Sequence, residues 1–346
     1  MAKNIKVAPP QNLAAGDACL FEPFLTYPLP SLKTKKLKGP FVTNSGLVCT
    51  NKGLIKECYH DMAGQPDDCL NEVSHYYHAA NDNPENLIIL DNDETYLLIH
   101  HTWHNNYYHW ICETLLRLWM VKDQIDKLVL LLPSKEQMST FALETLEPFS
   151  FKSVFYIPHG KSVLVRTLCM PQIKPVMATY NPIALLELNN TYINHATRVK
   201  GLNIKLGERL YISRKKSRRR KIINEDEVIA VLKQYNFAVI YNEDYSFFEQ
   251  VSIYSNAKYL ISIHGAGLTN MLFMPPGSTI FELHKRQTNP TDQHSLIFWY
   301  MADGLNHKYY QQICEPTDPD EDFFTAHFIV DINLFKKNLE LMFPTN

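Results

Sequence analysis

Short apolar runs alternate with helical spacings of apolar residues through the last third of the chain. Four of these runs are rich in β-branched and aromatic residues and predict strands over 209–213, 237–241, 259–263 and 279–283. Capping pairs between the runs predict two helix starts, at Asn224 with Glu227 and at Ser246 with Glu249. Because strands and helices alternate, we expect parallel strands joined by right-handed crossovers.

The first half of the chain has the same alternation after a less regular start. Residues 1–85 are rich in Pro, Asn and Asp and indicate irregular β structure, with strand-like pieces at 41–43 and 46–49. Further along, strands are predicted over 87–90, 95–101, 128–132, 154–157 and 162–169. Helices are predicted over 107–120, after a Ser134…Gln137 capping box, and over 183–199.

These patterns predict an α/β protein of two domains. The chain has 346 residues, and 45% of them are hydrophobic, enough to bury two cores. The proline-rich stretch 171–182 has few helix-forming residues and is the best candidate for a linker. We therefore predict an N-terminal domain over 1–180, irregular over 1–85, and a C-terminal domain over 181–346.

Charge and cysteine content exclude several classes of protein. The net charge of -2 and the pI near 6.7 argue against a nucleic-acid-binding protein. The seven cysteines are scattered and form no C-x-x-C pair, which argues against a disulfide framework and a zinc ribbon. No stretch has the apolar length of a signal peptide core or a membrane span. We expect a cytoplasmic location, with or without peripheral attachment to the inner membrane.

A glycine turn follows the predicted strand 259–263. The turn reads His264-Gly265-Ala266-Gly267 and leads into a predicted short helix over 268–274. Glycines at a strand-to-helix turn let backbone N–H groups approach a ligand, and the helix start favours an anion such as phosphate. The alternative is that Gly265 and Gly267 only form a tight connection.

Other polar residues follow neighbouring strands of the same predicted sheet. Arg214 and Glu282 lie at carboxyl ends of strands, where open parallel sheets bind their ligands. A guanidinium suits a diphosphate, and a carboxylate can accept hydrogen bonds from a ribose. The basic run 218–221 is expected to be mostly solvated surface, with one of its arginines turned inward.

His109 and Glu113 lie at i and i+4 of the helix predicted over 107–120. They therefore share one helical face, close to the helix start. An imidazole beside a carboxylate is typical of general base catalysis, and equally of a buried structural pair.

Two groups of residues have the composition of metal ligands. Asp91-Asn92-Asp93 has the D-x-D pattern of some metal-dependent transferases, but before a strand such a run is more often a turn. Five residues in 58–78 offer sulfur or nitrogen ligands at spacings that match no standard site: Cys58, His60, Cys69, His75 and His78. We therefore expect no metal cofactor.

Several of these motifs, in this order, resemble glycosyltransferase family 61. They are Asn106-Tyr107-Tyr108-His109-Trp110 with Glu113 and Arg117, Tyr211-Ile212-Ser213-Arg214, the arginines before Ile222, and the HGAGLTN and MPPGS runs. The resemblance covers about residues 97–283. It implies a GT-B-like fold, with two Rossmann-like domains whose parallel sheets face a cleft, and metal-independent, inverting transfer from a nucleotide sugar, usually a UDP sugar.

The resemblance also implies roles for individual residues. His109 is expected to be the general base, with Glu113 orienting it or acting as the base itself. The acceptor side is expected to include His104, Asn106 and Tyr107. The nucleotide sugar is expected to contact the remaining motif residues: Arg214, Arg220, His264, Gly265, Ala266, Gly267, Asn270 and Glu282.

The function expected from the sequence is therefore transfer of a sugar from a nucleotide sugar to a hydroxyl of a glycan or glycoconjugate, in surface polysaccharide biosynthesis. A non-catalytic nucleotide-sugar or glycan-binding protein on the same fold is the alternative, since fold does not fix function. A dinucleotide-dependent enzyme is disfavoured, because no G-x-G-x-x-G follows an early strand.

Overall fold

The computed structural model describes residues 4–29, 33–60, 62, 64–172, 179–288, 294–321 and 325–344. The chain divides into two compact units: a middle unit, Pro30–Met177, and a flanking unit formed by Met1–Leu29 with Ala178–Asn346. The first segment thus groups with the C-terminal half, whereas the sequence placed it in the N-terminal domain. The physical reason is pairing over long range, since the Tyr27 hydroxyl donates to Tyr180 O at 3.1 Å.

The elements alternate as an α/β chain. The strands are β1 (Asn4–Lys6), β2 (Thr26–Pro28), β3 (Thr34–Lys38), β4 (Phe41–Thr43), β5 (Val48–Thr50), β6 (Gly53–Leu54), β7 (Leu87–Leu90), β8 (Tyr96–Leu98), β9 (Val129–Pro133), β10 (Ser153–Ile157), β11 (Ser162–Val165), β12 (Thr167–Pro171), β13 (Arg209–Ile212), β14 (Ala238–Ile240), β15 (Tyr259–Ile263), β16 (Thr279–Lys285), β17 (Lys308–Pro316) and β18 (Phe328–Ile329). The α-helices are α1 (Ala18–Phe21), α2 (Gln65–Asp82), α3 (Tyr107–His109), α4 (Leu115–Trp119), α5 (Thr140–Glu144), α6 (Pro182–Asn194), α7 (Glu225–Gln234), α8 (Phe247–Tyr254), α9 (Ile297–Gly304) and α10 (Ile332–Met342).

Among the residues that the structure describes, two segments are wound as π-helix and several short connections as 3₁₀-helix. Trp110–Thr114 joins α3 to α4, and His195–Val199 extends α6. The 3₁₀ segments are Ala15–Asp17, Glu22–Phe24, Lys56–Cys58, Pro84–Asn86, Lys122–Lys127, Lys135–Gln137, Asn242–Asp244 and Ala266–Phe273.

The middle unit contains two five-stranded sheets. In one, β10, β9, β8 and β12 are parallel, and β3 pairs with β12 in the antiparallel direction. In the other, β11 pairs parallel to β7, and β4, β5 and β6 form an antiparallel edge. Buried Val42, Leu98, Leu131 and Val163 belong to one core cluster. The predicted strand 162–169 is in fact β11 and β12, because the chain changes sheets at the exposed Arg166.

Two predictions for the middle unit are wrong. The irregular stretch 1–85 contains the 18-residue helix α2, whose buried residues are Cys69 and Val73. Because so few apolar residues of this helix are buried, its sequence shows little of the 3.6-residue periodicity that predicts a helix. The Ser134…Gln137 pair does not cap an α-helix: the Ser134 hydroxyl donates to the Gln137 side chain at 2.8 Å, and a single 3₁₀ turn follows.

The flanking unit is built on a six-stranded sheet in the order β14, β13, β15, β16, β17, β18. The first five strands are parallel, and β18 is antiparallel. The sequence predicts the first four of them, β14, β13, β15 and β16, as parallel strands, but it does not predict β17. Helices α7 and α10 pack on this sheet through one core cluster, which includes Leu232, Phe281 and Phe335. A smaller antiparallel pair, β1 with β2, also belongs to this unit.

The two helix caps predicted for this unit differ in outcome. The capping box of Ser246 and Glu249 is confirmed. Helix α7 begins after Asn224 as predicted, but the Asn224 side chain exchanges two hydrogen bonds with the backbone of Val330 instead of capping the helix. Thus the side chain links α7 to the chain that precedes α10.

The predicted linker 171–182 lies between β12 and α6, and its residues 173–178 lie outside the described residues. No helix in the described part of the chain combines the length and apolar character needed to span a membrane. All seven cysteines are described, and none forms a disulfide.

Candidate active site

Asn106 starts the helix that carries His109 and Glu113. Its Oδ1 accepts hydrogen bonds from the backbone N–H groups of Tyr108, at 3.0 Å, and His109, at 3.4 Å. These N–H groups would otherwise lack partners at a helix start. One turn later the helix widens into the π segment, a feature often found at functional sites.

The structure brings His109 and Glu113 into direct contact. His109 Nδ1 lies 2.8 Å from Glu113 Oε2. Two further histidines approach the same carboxylate: His60 Nε2 lies 3.0 Å from Oε1, and His101 Nε2 lies 3.1 Å from Oε2. The sequence did not predict this arrangement. It suggested His60 only as one of five possible metal ligands that match no standard site.

The environment keeps Glu113 ionised. Burial alone would raise the pKa of this carboxyl, but its contacts with His101, His109 and His60 hold the pKa well below its usual range. Burial lowers the pKa of His101 to about 4, so this histidine is neutral near pH 7. The cluster therefore presents a carboxylate to the His109 ring.

This carboxylate fixes the tautomer of His109. An ionised carboxylate can only accept, so Nδ1 of His109 carries the proton and Nε2 carries a lone pair. Within the described residues, Nε2 has no hydrogen-bond partner, and the side chain is 15% exposed. Trp103 packs against the ring at a centroid distance of 4.6 Å and stacks on His60 at the same distance. His109 is thus held by Glu113 through Nδ1, and its other ring nitrogen is open.

Arg117 supports the loop next to this cluster. Its guanidinium is buried and donates to Pro171 O at 2.7 Å, Ile99 O at 2.7 Å and His100 O at 3.1 Å. Burial lowers the pKa of Arg117 to about 10, so it remains charged near pH 7. Two of these carbonyls follow β8 and the third ends β12, so Arg117 ties the segment that leads into His101 to the neighbouring strand.

The predicted acceptor residues lie close in sequence to the cluster but differ in exposure. His104 is buried, with Nδ1 3.1 Å from His101 O, and burial lowers its pKa. Asn106 uses its side-chain oxygen as the helix cap. Tyr107 is half-buried, with its ring 5.1 Å from that of Phe141. Of the three, Tyr107 and the exposed amide end of Asn106 are the groups nearest to solvent.

The Asp91-Asn92-Asp93 run is an exposed turn between β7 and β8. Asp93 pairs with Arg166 at 2.5 Å, and the Asn92 amide donates to the Tyr96 hydroxyl at 3.1 Å. The run thus has the structure of the turn that the sequence favoured.

In the flanking unit, Gly265 lies where two arginines meet. A Cβ added at this position would overlap Arg214 Nη1 and lie 3.9 Å from an Arg220 nitrogen. The φ angle of Gly265 is 163°, an extended backbone conformation that any residue can adopt. Glycine is therefore needed here because there is no space for a side chain, and not because of the backbone angle. Arg214 is half-buried and is held by Ser217 Oγ at 3.0 Å and Arg219 O at 3.3 Å. The turn therefore places two guanidinium groups directly against backbone.

The segment after the turn is a short helix, as predicted over 268–274, and it is wound as a 3₁₀-helix over Ala266–Phe273. Its N–H groups bond three residues back, as Leu268 N does to Gly265 O at 2.9 Å. Asn270 is fully buried, and its amide donates to Gln250 Oε1 at 2.9 Å. Gln250 in turn donates to Asn242 O at 3.0 Å. Asn270 therefore anchors this segment to α8 and the end of β14.

Glu282 lies in the middle of the sheet, fully buried, and both of its oxygens have partners. His264 Nδ1 lies 2.5 Å from Oε1, His284 Nε2 lies 3.2 Å from Oε1, and the Tyr309 hydroxyl donates to Oε2 at 2.6 Å. Burial would raise the pKa of Glu282, but His284 and His264 hold it well below its usual range. These contacts engage both oxygens internally and fix the ring of His264. The contact of Glu282 with a ribose stays a prediction.

Most residues identified from the sequence, among them His109, Glu113 and Arg214, fall in one matched region; His104, Asn106 and Glu282 lie just outside it. The family described as glycosyltransferase 61 matches residues 107–281, just over half of the chain. The chain belongs to this family. The matched region of this family-61 protein begins at the helix of His109 and Glu113 and ends within β16, one residue before Glu282.

The chain is also similar to two proteins named as N-acetylglucosaminyltransferases. The human protein O-linked-mannose β-1,4-N-acetylglucosaminyltransferase 2 is 30% identical over 121 residues, which cover 34% of this chain and 21% of that protein. The Drosophila melanogaster EGF domain-specific O-linked N-acetylglucosamine transferase is 26% identical over 156 residues, 41% of this chain and 30% of that protein. The matches thus span less than a third of each relative.

Proposed function

We propose that this family-61 protein is an inverting glycosyltransferase with a GT-B-like arrangement of its two units. The flanking unit binds a nucleotide sugar, specifically a UDP sugar, and the middle unit binds the acceptor. The observation that carries the proposal is the contact between His109 and the ionised Glu113. This contact leaves Nε2 of His109 open, beside a Glu113 carboxylate that His60, His101 and His109 all contact.

In the proposed reaction, His109 Nε2 takes the proton of an acceptor hydroxyl while the hydroxyl oxygen attacks the anomeric carbon of the donor. The bond from that carbon to the diphosphate oxygen breaks, so the configuration at the carbon inverts. The imidazolium that forms is stabilised by Glu113, 2.8 Å from Nδ1. The three histidine contacts engage both oxygens of Glu113, which favours His109 over Glu113 as the base.

The departing diphosphate acquires negative charge, and the turn at Gly265 offers groups that can stabilise it. Arg214 and Arg220 bring two guanidinium groups to this turn, and the first N–H groups of Ala266–Phe273 add further donors. His264, oriented by Glu282, lies directly before the glycine. Cations and N–H donors can serve in place of a divalent ion, so we propose transfer without a metal or other cofactor.

The names of the relatives suggest which donor to test first. Both transfer N-acetylglucosamine, so we propose UDP-N-acetylglucosamine as the first donor. The acceptor class we propose is a glycan or glycoconjugate of a surface polysaccharide, made in the cytoplasm or at the membrane surface.

UDP binding and turnover test the proposal together. Calorimetry is expected to show UDP binding that Arg214→Ala weakens by about 1.5–3 kcal/mol, the range for a hydrogen bond to a charged group. Arg218→Ala is the matched control, because Arg218 is an exposed arginine of the same run. UDP release from nucleotide sugars in the presence of glycan acceptors reports turnover. Binding without turnover for any donor would favour a non-catalytic nucleotide-sugar-binding protein, and unchanged affinity in a folded Arg214→Ala variant would refute the assigned donor site.

A further inference from the structure

We propose that His60, His109 and Glu113 form a binding site for a transition-metal cation of the Zn²⁺ class, and that the bound ion inhibits transfer. The second part rests on the proposed function, because inhibition requires His109 to be the base. The first part concerns only the arrangement of the three side chains.

The three side chains have the chemistry and the spacing of zinc ligands. Each offers one ligand atom, and these atoms all lie within 4.8 Å of one another. His60 Nε2 and His109 Nδ1 are 3.0 Å and 2.8 Å from the two oxygens of Glu113. Ligand atoms of one tetrahedral zinc ion lie about 3.3–3.4 Å apart, from zinc–ligand bonds of about 2.0–2.1 Å. Small side-chain shifts would therefore admit an ion.

Neighbouring groups hold the ligands in place, as residues around metal sites commonly do. The His60 ring stacks on Trp103 at a centroid distance of 4.6 Å and an interplanar angle of 14°. His101 Nε2 lies 3.1 Å from Glu113 Oε2 and is positioned to keep that carboxylate oriented. Two imidazoles and one carboxylate suit Zn²⁺ or Co²⁺, whereas Mg²⁺ and Ca²⁺ prefer oxygen ligands alone.

A second group of three potential ligands in the described residues is less suited to binding an ion. In that group, His264, Glu282 and His284, the side chains of Glu282 and His284 are fully buried. The Tyr309 hydroxyl also engages the second oxygen of Glu282. In the first group, the His109 side chain is 15% exposed and that of Glu113 is 9% exposed. An ion can therefore reach the first group from solvent.

Metal binding would remove the proposed base. An ion on Nδ1 of His109 requires the lone pair of that nitrogen, so the ring proton must move to Nε2. Nε2 would then be a donor and could not accept the proton of an acceptor hydroxyl. The ion would also bind Glu113, which otherwise stabilises the imidazolium.

Cobalt titration tests the site without any assay of transfer. Protein stripped with a chelator and then titrated with Co²⁺ is expected to bind one ion per chain, with the visible absorption of four- or five-coordinate cobalt, and Zn²⁺ should displace it. His60→Gln keeps an N–H donor for Glu113 but removes a ligand, so the affinity should fall by at least about tenfold, the loss seen even for groups that only support a ligand. The double variant His75→Gln/His78→Gln is the matched control, because it removes two exposed histidines of α2 and should leave the affinity unchanged.

Two outcomes would overturn the site: no cobalt binding, or binding that survives His60→Gln and is lost in His284→Gln. Inhibition is measured separately, as the Zn²⁺ concentration that halves turnover relative to the zinc-free rate of the same variant. This concentration should rise by the same factor as the dissociation constant in His60→Gln. Normal cobalt binding in a protein without turnover would refute the proposed function, whereas normal turnover without cobalt binding would refute the metal site.

Discussion

His109 Nδ1 lies 2.8 Å from Glu113 Oε2, and the two residues are one helical turn apart. The helix spacing alone would bring them near each other. The direction of the hydrogen bond between them is set because Glu113 is buried and ionised. A neutral carboxylic acid could donate to the imidazole, whereas this carboxylate can only accept from it. The open nitrogen of His109 is therefore the one that can take a proton.

Substitution of this pair should affect turnover and not donor binding. His109→Ala is expected to lower turnover by about a hundredfold or more, the usual share of general base catalysis. Glu113→Gln should also lower turnover, because an amide no longer fixes the tautomer or stabilises the imidazolium. The affinity for UDP should stay within experimental error in both variants, since the proposed donor contacts lie in the flanking unit.

Measurements of turnover, UDP affinity and melting temperature on the same samples separate this role from a structural one. A purely structural pair would lower the melting temperature and reduce activity only in proportion to the folded fraction. A well-folded double variant with near-normal turnover would remove both residues from the mechanism.

The space at Gly265 leads to a second prediction. Gly265→Ala should weaken UDP binding without preventing folding, because the new methyl group displaces the Arg214 guanidinium and needs no unusual backbone angle. Gly16→Ala is the matched control in the same unit, since a Cβ there has no neighbour within 4 Å. Calorimetric titration of UDP into both variants checks this. Equal affinity in the two would show that Arg214 is not needed where the structure places it.

Four strands of the parallel sheet in the flanking unit, β13, β14, β15 and β16, were predictable because each contains a short apolar run, whereas β17 mixes apolar with polar residues and was not predicted. β15 has the predicted boundaries, 259–263, and ends directly before the glycine turn. By contrast, α2 was missed, since it buries only Cys69 and Val73, and its other large apolar residues, such as Leu70 and Tyr77, are exposed. The local sequence thus predicts a helix or strand when burial of one face places apolar residues at a regular spacing.

The candidate site was predictable only where it is local in sequence. The helix spacing indicated the His109–Glu113 pair, but His60 lies 53 residues from Glu113, and no periodic signal links them. Likewise, Glu282 meets Tyr309 from 27 residues away. Contacts between residues so far apart in sequence depend on which strands become neighbours in a sheet. No regular spacing of residues in a single sequence indicates which strands these are.

Removal of divalent ions gives a third prediction. Turnover is expected to be unchanged in excess chelator, because Arg214, Arg220 and backbone N–H groups stabilise the diphosphate in the proposed mechanism. The assay compares chelator-treated enzyme with the same enzyme after addition of Mg²⁺ or Mn²⁺. Activity that disappears with chelator and returns with either ion would refute metal-independent transfer.

The last prediction concerns His307 and the stability of the flanking unit in acid. His307 is 8% exposed, its Nε2 lies 3.1 Å from Met271 O, and burial lowers its pKa to about 4. In the unfolded chain the pKa of a histidine is about 6.5, so between these two values the unfolded state binds a proton that the folded state does not. Its contribution to stability is therefore complete above about pH 6.5 and is lost as the pH falls towards 4. The loss should approach about 1.4 kcal/mol per pH unit.

Urea unfolding at several pH values between 7 and 4.5 measures this contribution. His307→Gln removes the titrating group and should give a shallower pH dependence than the wild type, by about one proton. Other buried histidines, such as His264, with its pKa also lowered to about 4, titrate in both proteins, so only the difference in slope reports on His307. His78→Gln, at an exposed position of α2, is the control and should keep the wild-type slope. Equal slopes for His307→Gln and the wild type would mean that the pKa of His307 is the same in the folded and unfolded states, which would contradict the prediction.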